Sequence, residues 1–196
     1  MLNLLFTTDY EIHGNGDGSP LGLMVETTKR QMEVMNKFGA KLTIFADIAE
    51  ILKFKEYRDK YKKADYDYEA IIDQLKEAVR TGHDVQLHIH SSYFNAKFEN
   101  NRWRQDWTEY NLANLPYNKI EKYITLGKNF LEEILKPVDK NYECMAFRAA
   151  GWSMMPTKNI YDALVKNGIR IDSSLWQHGK RSGALDFDYT NTYSEA

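Results

Sequence analysis

The chain has 196 residues, 43% of them hydrophobic and 28% charged, with a formal net charge of −2. That composition excludes a disordered polymer, and near-neutral charge with both signs interspersed leaves no electrostatic footprint for DNA, RNA or an anionic membrane. The length fits one domain over 1–196 with a substantial core, and the single cysteine, Cys144, excludes an intrachain disulfide and agrees with a reducing compartment.

In chain order, Met1-Leu2-Asn3-Leu4-Leu5-Phe6 lacks a basic segment and reaches Asp9 too early for a signal peptide or a membrane span. It reads as a first strand of a cytoplasmic protein without a transmembrane segment. The apolar run stops at Asp9-Tyr10-Glu11, followed by a glycine-rich loop from His13 to Gly18. Ser19 as N-cap and Pro20 in the first turn predict a helix through about Phe38, closed by Gly39. Lys41 to Ala46 predicts a second strand, Ile48 to Lys55 a helix, and Tyr68 to Arg80 another helix with Ile71, Ile72, Leu75 and Val79 at helical spacing.

Gly82-His83-Asp84-Val85-Gln86-Leu87-His88-Ile89-His90 follows. Val85, Leu87 and Ile89 alternate with Gln86, His88 and His90, so the two latter imidazoles share a strand face. Their α-carbons lie about 6.5 Å apart at about 3.3 Å per residue, near enough to converge on one cation. The ordinary alternative is a satisfied core histidine. His83, at the strand's start, reads as structural, and Gln86 as a hydrogen-bonding support for the ligands.

Ser91 to Pro116 has no clean period and reads as a functional loop. Asn118 to Leu135 predicts a helix whose apolar face includes Leu126, and Pro137 ends it. Tyr142 to Phe147 predicts a strand, Met154 to Asn167 a helix, and Ile169 to Asp172 a last strand. Asp186 to Ala196 carries no strand or helix pattern, so the fold reads as incomplete at its C-terminal end. Alternating strands and helices imply an α/β fold with a parallel sheet, doubly wound or closed into a barrel.

Asp9, Glu11, His88, His90, Arg148 and Asp172 all fall at C-terminal strand ends, where such folds keep their chemistry. Asp9 and Glu11 share a face, giving one carboxylate for a metal and one for proton transfer, although a solvated strand end has the same pattern. Arg148 requires a carboxylate partner, which Asp9 or Glu11 supplies. Ala149, Ala150 and Gly151 permit close backbone approach to a ligand, and Trp103, Trp107, Trp152 and Trp176 are candidates for sugar-stacking walls or for core. No phosphate-binding loop or dinucleotide fingerprint is present.

Thr8-Asp9-Tyr10-Glu11, Gly82-His83-Asp84 through Ser92, Phe147-Arg148-Ala149-Ala150-Gly151-Trp152 and Ile171-Asp172-Ser173-Ser174, in that order, resemble the motifs of the polysaccharide deacetylase family, the NodB-homology domain. The resemblance covers roughly residues 4 to 176. It implies an irregular (β/α) barrel of about seven strands and a divalent metal, commonly zinc, that serves to hydrolyse N-acetyl groups on amino sugars. Carried over, Asp9 is the general base, Glu11 and His88 are metal ligands, and Arg148 orients Asp9. Where the family has its second histidine this chain has Ser92, whose neutral hydroxyl is a poor zinc ligand, so His90 stands as the third ligand. His178 is the one histidine late enough to stand for the family's general acid. The resemblance thus implies a metal-dependent hydrolase acting on a small-molecule or saccharide substrate. The alternatives are a non-catalytic saccharide- or metal-binding domain of the same fold, or a deacylase of a small non-saccharide amide.

Overall fold

Short apolar runs separated by amphipathic stretches become parallel strands joined by helices. In the computed structural model, which describes residues 3–12 and 17–192, the elements are β1 (Phe6–Tyr10), α1 (Glu26–Lys37), β2 (Leu42–Asp47), α2 (Ile48–Tyr61), α3 (Tyr68–Arg80) and β3 (Asp84–Ile89). They continue with β4 (Lys97–Glu99), β5 (Arg102–Arg104), α4 (Tyr117–Leu135), β6 (Ala146–Ala149), α5 (Thr157–Lys166), β7 (Ile171–Asp172), β8 (Lys180–Arg181) and β9 (Phe187–Asp188). The loop reading at His13 to Gly16 and the start of the first strand at Met1 and Leu2 lie outside the described residues, as do residues 193–196.

Five strands form one parallel sheet in the order β1-β2-β3-β6-β7. The order never reverses, so the sheet is not doubly wound. Nor is it the closed barrel expected from the sequence. Among the described residues β1 and β7 are free edges, because β7 is a two-residue strand and the chain after it pairs with itself as the antiparallel β8/β9 instead of returning to the sheet. That hairpin also overturns the reading of residues past Asp186 as free of strand.

Helices α2, α3, α4 and α5 touch in succession and cover one face of the sheet. Val85, Leu87 and Ile89, all fully buried, point to them, with Ile44 and Ala46 level with the first two. The approach of α4 is close: a Cβ on Gly127 would meet Leu87 Cδ1 at 2.7 Å. Leu126, placed by the sequence on the apolar face of α4, is instead 42% exposed. Helix α2 outlasts its predicted end at Lys55 because Phe54 and Tyr57 are buried and hold it through Tyr61. Asn100 and Asn101 both take left-handed backbone (φ 54° and 59°), closing the β4/β5 hairpin inside the segment read as irregular. That hairpin packs Phe98 and Trp103 onto Tyr57 and Tyr66. No helix among the described residues is long and apolar enough to cross a membrane.

The sequence starts β6 at Tyr142, but pairing begins at Ala146. The intervening backbone is held by side chains: Tyr142 donates its hydroxyl to the Val85 carbonyl at 2.7 Å, and Gln86 Oε1 accepts from Met145 N–H at 2.9 Å and Ala146 N–H at 2.7 Å. Gln86 Nε2 donates to Asp84 Oδ1 and the Glu143 carbonyl. Gln86 therefore braces the entry to β6 and makes no bond to the histidines, contrary to the supporting role read from sequence. Replacing Gln86 by Leu strands two backbone N–H groups and is expected to destabilise the fold by about 2–5 kcal/mol in denaturant titration. A loss under about 0.5 kcal/mol would contradict this role.

Candidate metal centre

Residues level with one another in a parallel sheet point to the same side. Asp47, His88 and Arg148 form one such row, and Asp9, Phe45 and Gln86 the row below it, on the face away from the helices. Glu11 follows the end of β1 and His90 the end of β3. The C-terminal edge of the sheet thereby gathers five of the six residues singled out for catalysis or metal binding from sequence.

Ligand atoms of Glu11, His88 and His90 all lie within 4.8 Å of one another. Glu11 Oε2 is 3.4 Å from His88 Nε2 and 2.8 Å from His90 Nδ1. His88 Nδ1 donates to the Arg148 carbonyl at 2.7 Å, which fixes the tautomer and leaves the Nε2 lone pair facing the group. Burial works against the Glu11 carboxylate, but hydrogen bonds and charge from His88 and His90 outweigh it and hold this carboxyl well below the usual range. Burial likewise works against a charged His90, yet Asp47 and then Glu11 raise its pKa well above the ordinary value. The three residues are close enough to hold a metal ion.

Asp47 was missed from sequence because the predicted strand stops one residue short of it. It is fully buried at the N-cap of α2. Its Oδ1 accepts from Ala49 N–H and from His90 N–H, each at 3.1 Å, and its Oδ2 accepts from His90 Nδ1 at 3.0 Å. One turn on, the equally buried Glu50 accepts through Oε2 from Ile12 N–H at 2.9 Å. Burial, then the charge of Asp47, pushes the Glu50 pKa well above its ordinary value. An Asp followed three residues later by Glu, at the junction of a strand and a helix, was the available signal.

Beside this group Arg148 meets Asp9, with Nη1 donating to Oδ1 at 2.6 Å. Arg148 Nη2 donates to Thr7 Oγ1 at 2.9 Å and Ser173 Oγ at 2.8 Å, and the guanidinium lies 4.2 Å from the Phe45 ring centroid. Held on three sides and against a ring, the cation is rigid. Asp9 Oδ2 has no partner among the described residues, and the side chain is 27% exposed.

Other sequence readings resolve differently. Ser92 is buried and its hydroxyl is committed to Gln105, donating to Oε1 at 2.7 Å. His83 accepts from Leu42 N–H through Nδ1 at 3.0 Å, as a structural histidine does. The space beside Gly151 (φ 56°) is taken by the Leu185 side chain, which a Cβ there would overlap, and Ala149 N–H donates to Ser174 Oγ at 2.7 Å. The small residues after Arg148 thus accommodate the chain's own later segment. Asp172 accepts from the Ser174 hydroxyl at 2.6 Å. His178 is exposed and tied through Nδ1 to the Thr190 carbonyl at 2.9 Å, in contact with none of the clustered residues. Of the tryptophans, Trp103 is core, Trp107 is exposed, and Trp152 and Trp176 pair at 5.0 Å past the ends of β6 and β7.

Comparison with protein-family models, with curated proteins and with solved structures finds no match to this chain.

Proposed function

We propose that this chain is a metal-dependent hydrolase that removes an N-acyl group, in the first instance acetyl, from an amino sugar or saccharide, as a divergent relative of the polysaccharide deacetylases. The observation that carries the reading is the meeting of Glu11, His88 and His90 with an adjacent Asp9–Arg148 pair on one sheet edge. The strand order, consecutive and unreversed, is that of a (β/α) barrel sheet laid open, and supports the same family.

Two imidazoles and one carboxylate fit zinc, and a three-ligand set of this kind is the catalytic rather than the structural pattern. Glu11, His88 and His90 would hold the ion. When bound, it supplies Lewis acidity toward an acyl oxygen and toward water. Asp9 does the proton work: with Oδ1 held by Arg148, Oδ2 is free to take a proton from water and to return it to the departing amine. Arg148 fixes the carboxylate's orientation and, through its own carbonyl, the His88 ring. Trp152 and Trp176 give an apolar wall for a sugar ring at the same edge.

A second reading, a metal- or saccharide-binding domain without turnover, is favoured by one observation: His178, the candidate general acid, bonds Thr190 and not the site. Protein loaded with zinc, cobalt or manganese and offered N-acetylated amino sugars, free and in nucleotide- or lipid-linked form, separates the two. Acetate release that requires metal is the expected result. Saturable binding of the same compounds without acetate release would favour the second.

A further inference from the structure

Asp47-Ile48-Ala49-Glu50 has the spacing of a capping box, in which the glutamate reaches back to the N–H of the capping residue. It does not do so here. Glu50 Oε2 reaches across to Ile12 N–H, the peptide next to Glu11. Asp47 caps α2 through Ala49 N–H, and with its remaining capacity grips His90 twice, at the backbone N–H and at Nδ1. Burying two carboxyl groups side by side is unfavourable, and Glu50 Oε1 is buried without a hydrogen-bond partner among the described residues, so the bonds the pair does make are the ones that hold it there. What they hold is one metal-ligand histidine and the backbone beside the metal-ligand glutamate.

We propose that Asp47 and Glu50 are positioning residues of the metal centre: the first turn of α2 sets the His90 ring and the peptide behind Glu11, so that the ligands are assembled before the cation arrives. This rests on the reading of Glu11, His88 and His90 as metal ligands. Asp47 acts on the ring directly. Its Oδ2 faces the same Nδ1 that stands 2.8 Å from Glu11 Oε2, which sets the orientation of the ring, and by taking the backbone N–H it stops the chain after β3 from swinging away. Glu50 acts one step further back, holding the turn that follows β1 against the start of α2. One helical turn thus ties the ends of the first and third strands to the second.

Titration of the metal-free protein with cobalt, followed by its visible d–d bands and by competition with zinc, tests this. Asp47→Asn keeps an oxygen for the cap and loses the carboxylate facing His90. It is expected to weaken cobalt binding about 10- to 100-fold and to alter the d–d bands, with a thermal midpoint near that of wild type. Glu50→Gln retains an acceptor for Ile12 N–H and is expected to bind like wild type, whereas Glu50→Ala weakens binding about tenfold. Wild-type affinity and bands in both Asp47→Asn and Glu50→Ala would overturn the positioning role. Should Asp47→Asn lose its cooperative thermal transition, the Glu50→Ala and Glu50→Gln pair decides: differing affinities support the role, and equal ones overturn it. Wild-type protein that takes up no cobalt would overturn the metal reading itself, and the positioning role with it.

Discussion

Asp9→Asn is expected to lower kcat for deacylation by about 10²- to 10⁴-fold while leaving zinc binding within a few-fold of wild type. The split follows from where Asp9 sits. Its Oδ1 is held by Arg148 at 2.6 Å and its Oδ2 is open, while the grouped ligand atoms belong to Glu11, His88 and His90. An asparagine side chain fills the same space and accepts from Arg148, but takes up no proton from water. The fold should survive, because Arg148 keeps its bonds to Thr7 and Ser173 and its stacking on Phe45. Steady-state kinetics beside a zinc titration reads both halves. Equal loss of zinc would place Asp9 among the ligands, and unchanged kcat would remove it from the proton transfer.

The sequence made the strands and the histidine face legible because alternation is local: Val85, Leu87 and Ile89 could pack against helices only if His88 and His90 turned the other way. Asp9, Glu11 and Arg148 were legible for a similar reason, as charged residues that end apolar runs. What stayed hidden depended on contacts across the sheet. Asp47 and Glu50 look like ordinary acidic residues at a helix start, and only the placement of β3 and of the β1 end beside α2 gives them His90 and Ile12 as partners. Gln86 looked like a support for the ligands because it shares their face, but β6 lies nearer and its backbone N–H groups claim the amide oxygen. Closure of the sheet was equally out of reach, since counting strands does not say whether the two edges meet. The hairpin at Asn100-Asn101 did carry a local signal, two residues tolerant of left-handed backbone between Phe98 and Trp103.

The second large effect concerns the cation. His88→Ala removes the ring whose Nε2 lone pair faces Glu11, and is expected to weaken zinc binding by more than about 100-fold, beyond what loss of a supporting residue does. His90→Ala should do the same, because the Ser92 hydroxyl, at the family's second-histidine position, is bonded to Gln105. Binding should also depend on pH in a fixed direction. Asp47 and Glu11 raise the His90 pKa, so in the metal-free protein this ring keeps its proton to higher pH than an ordinary histidine. Zinc must displace that proton, so affinity falls as pH is lowered and protons are released on binding. The most direct measurement is calorimetric titration of metal-stripped protein with zinc at several pH values, alongside the Glu11→Ala, His88→Ala and His90→Ala variants. The account predicts one equivalent bound by wild type, tighter as pH rises, with proton release, and binding lost in each variant. Wild type that binds no zinc, or variants that bind it as tightly as wild type, would contradict it.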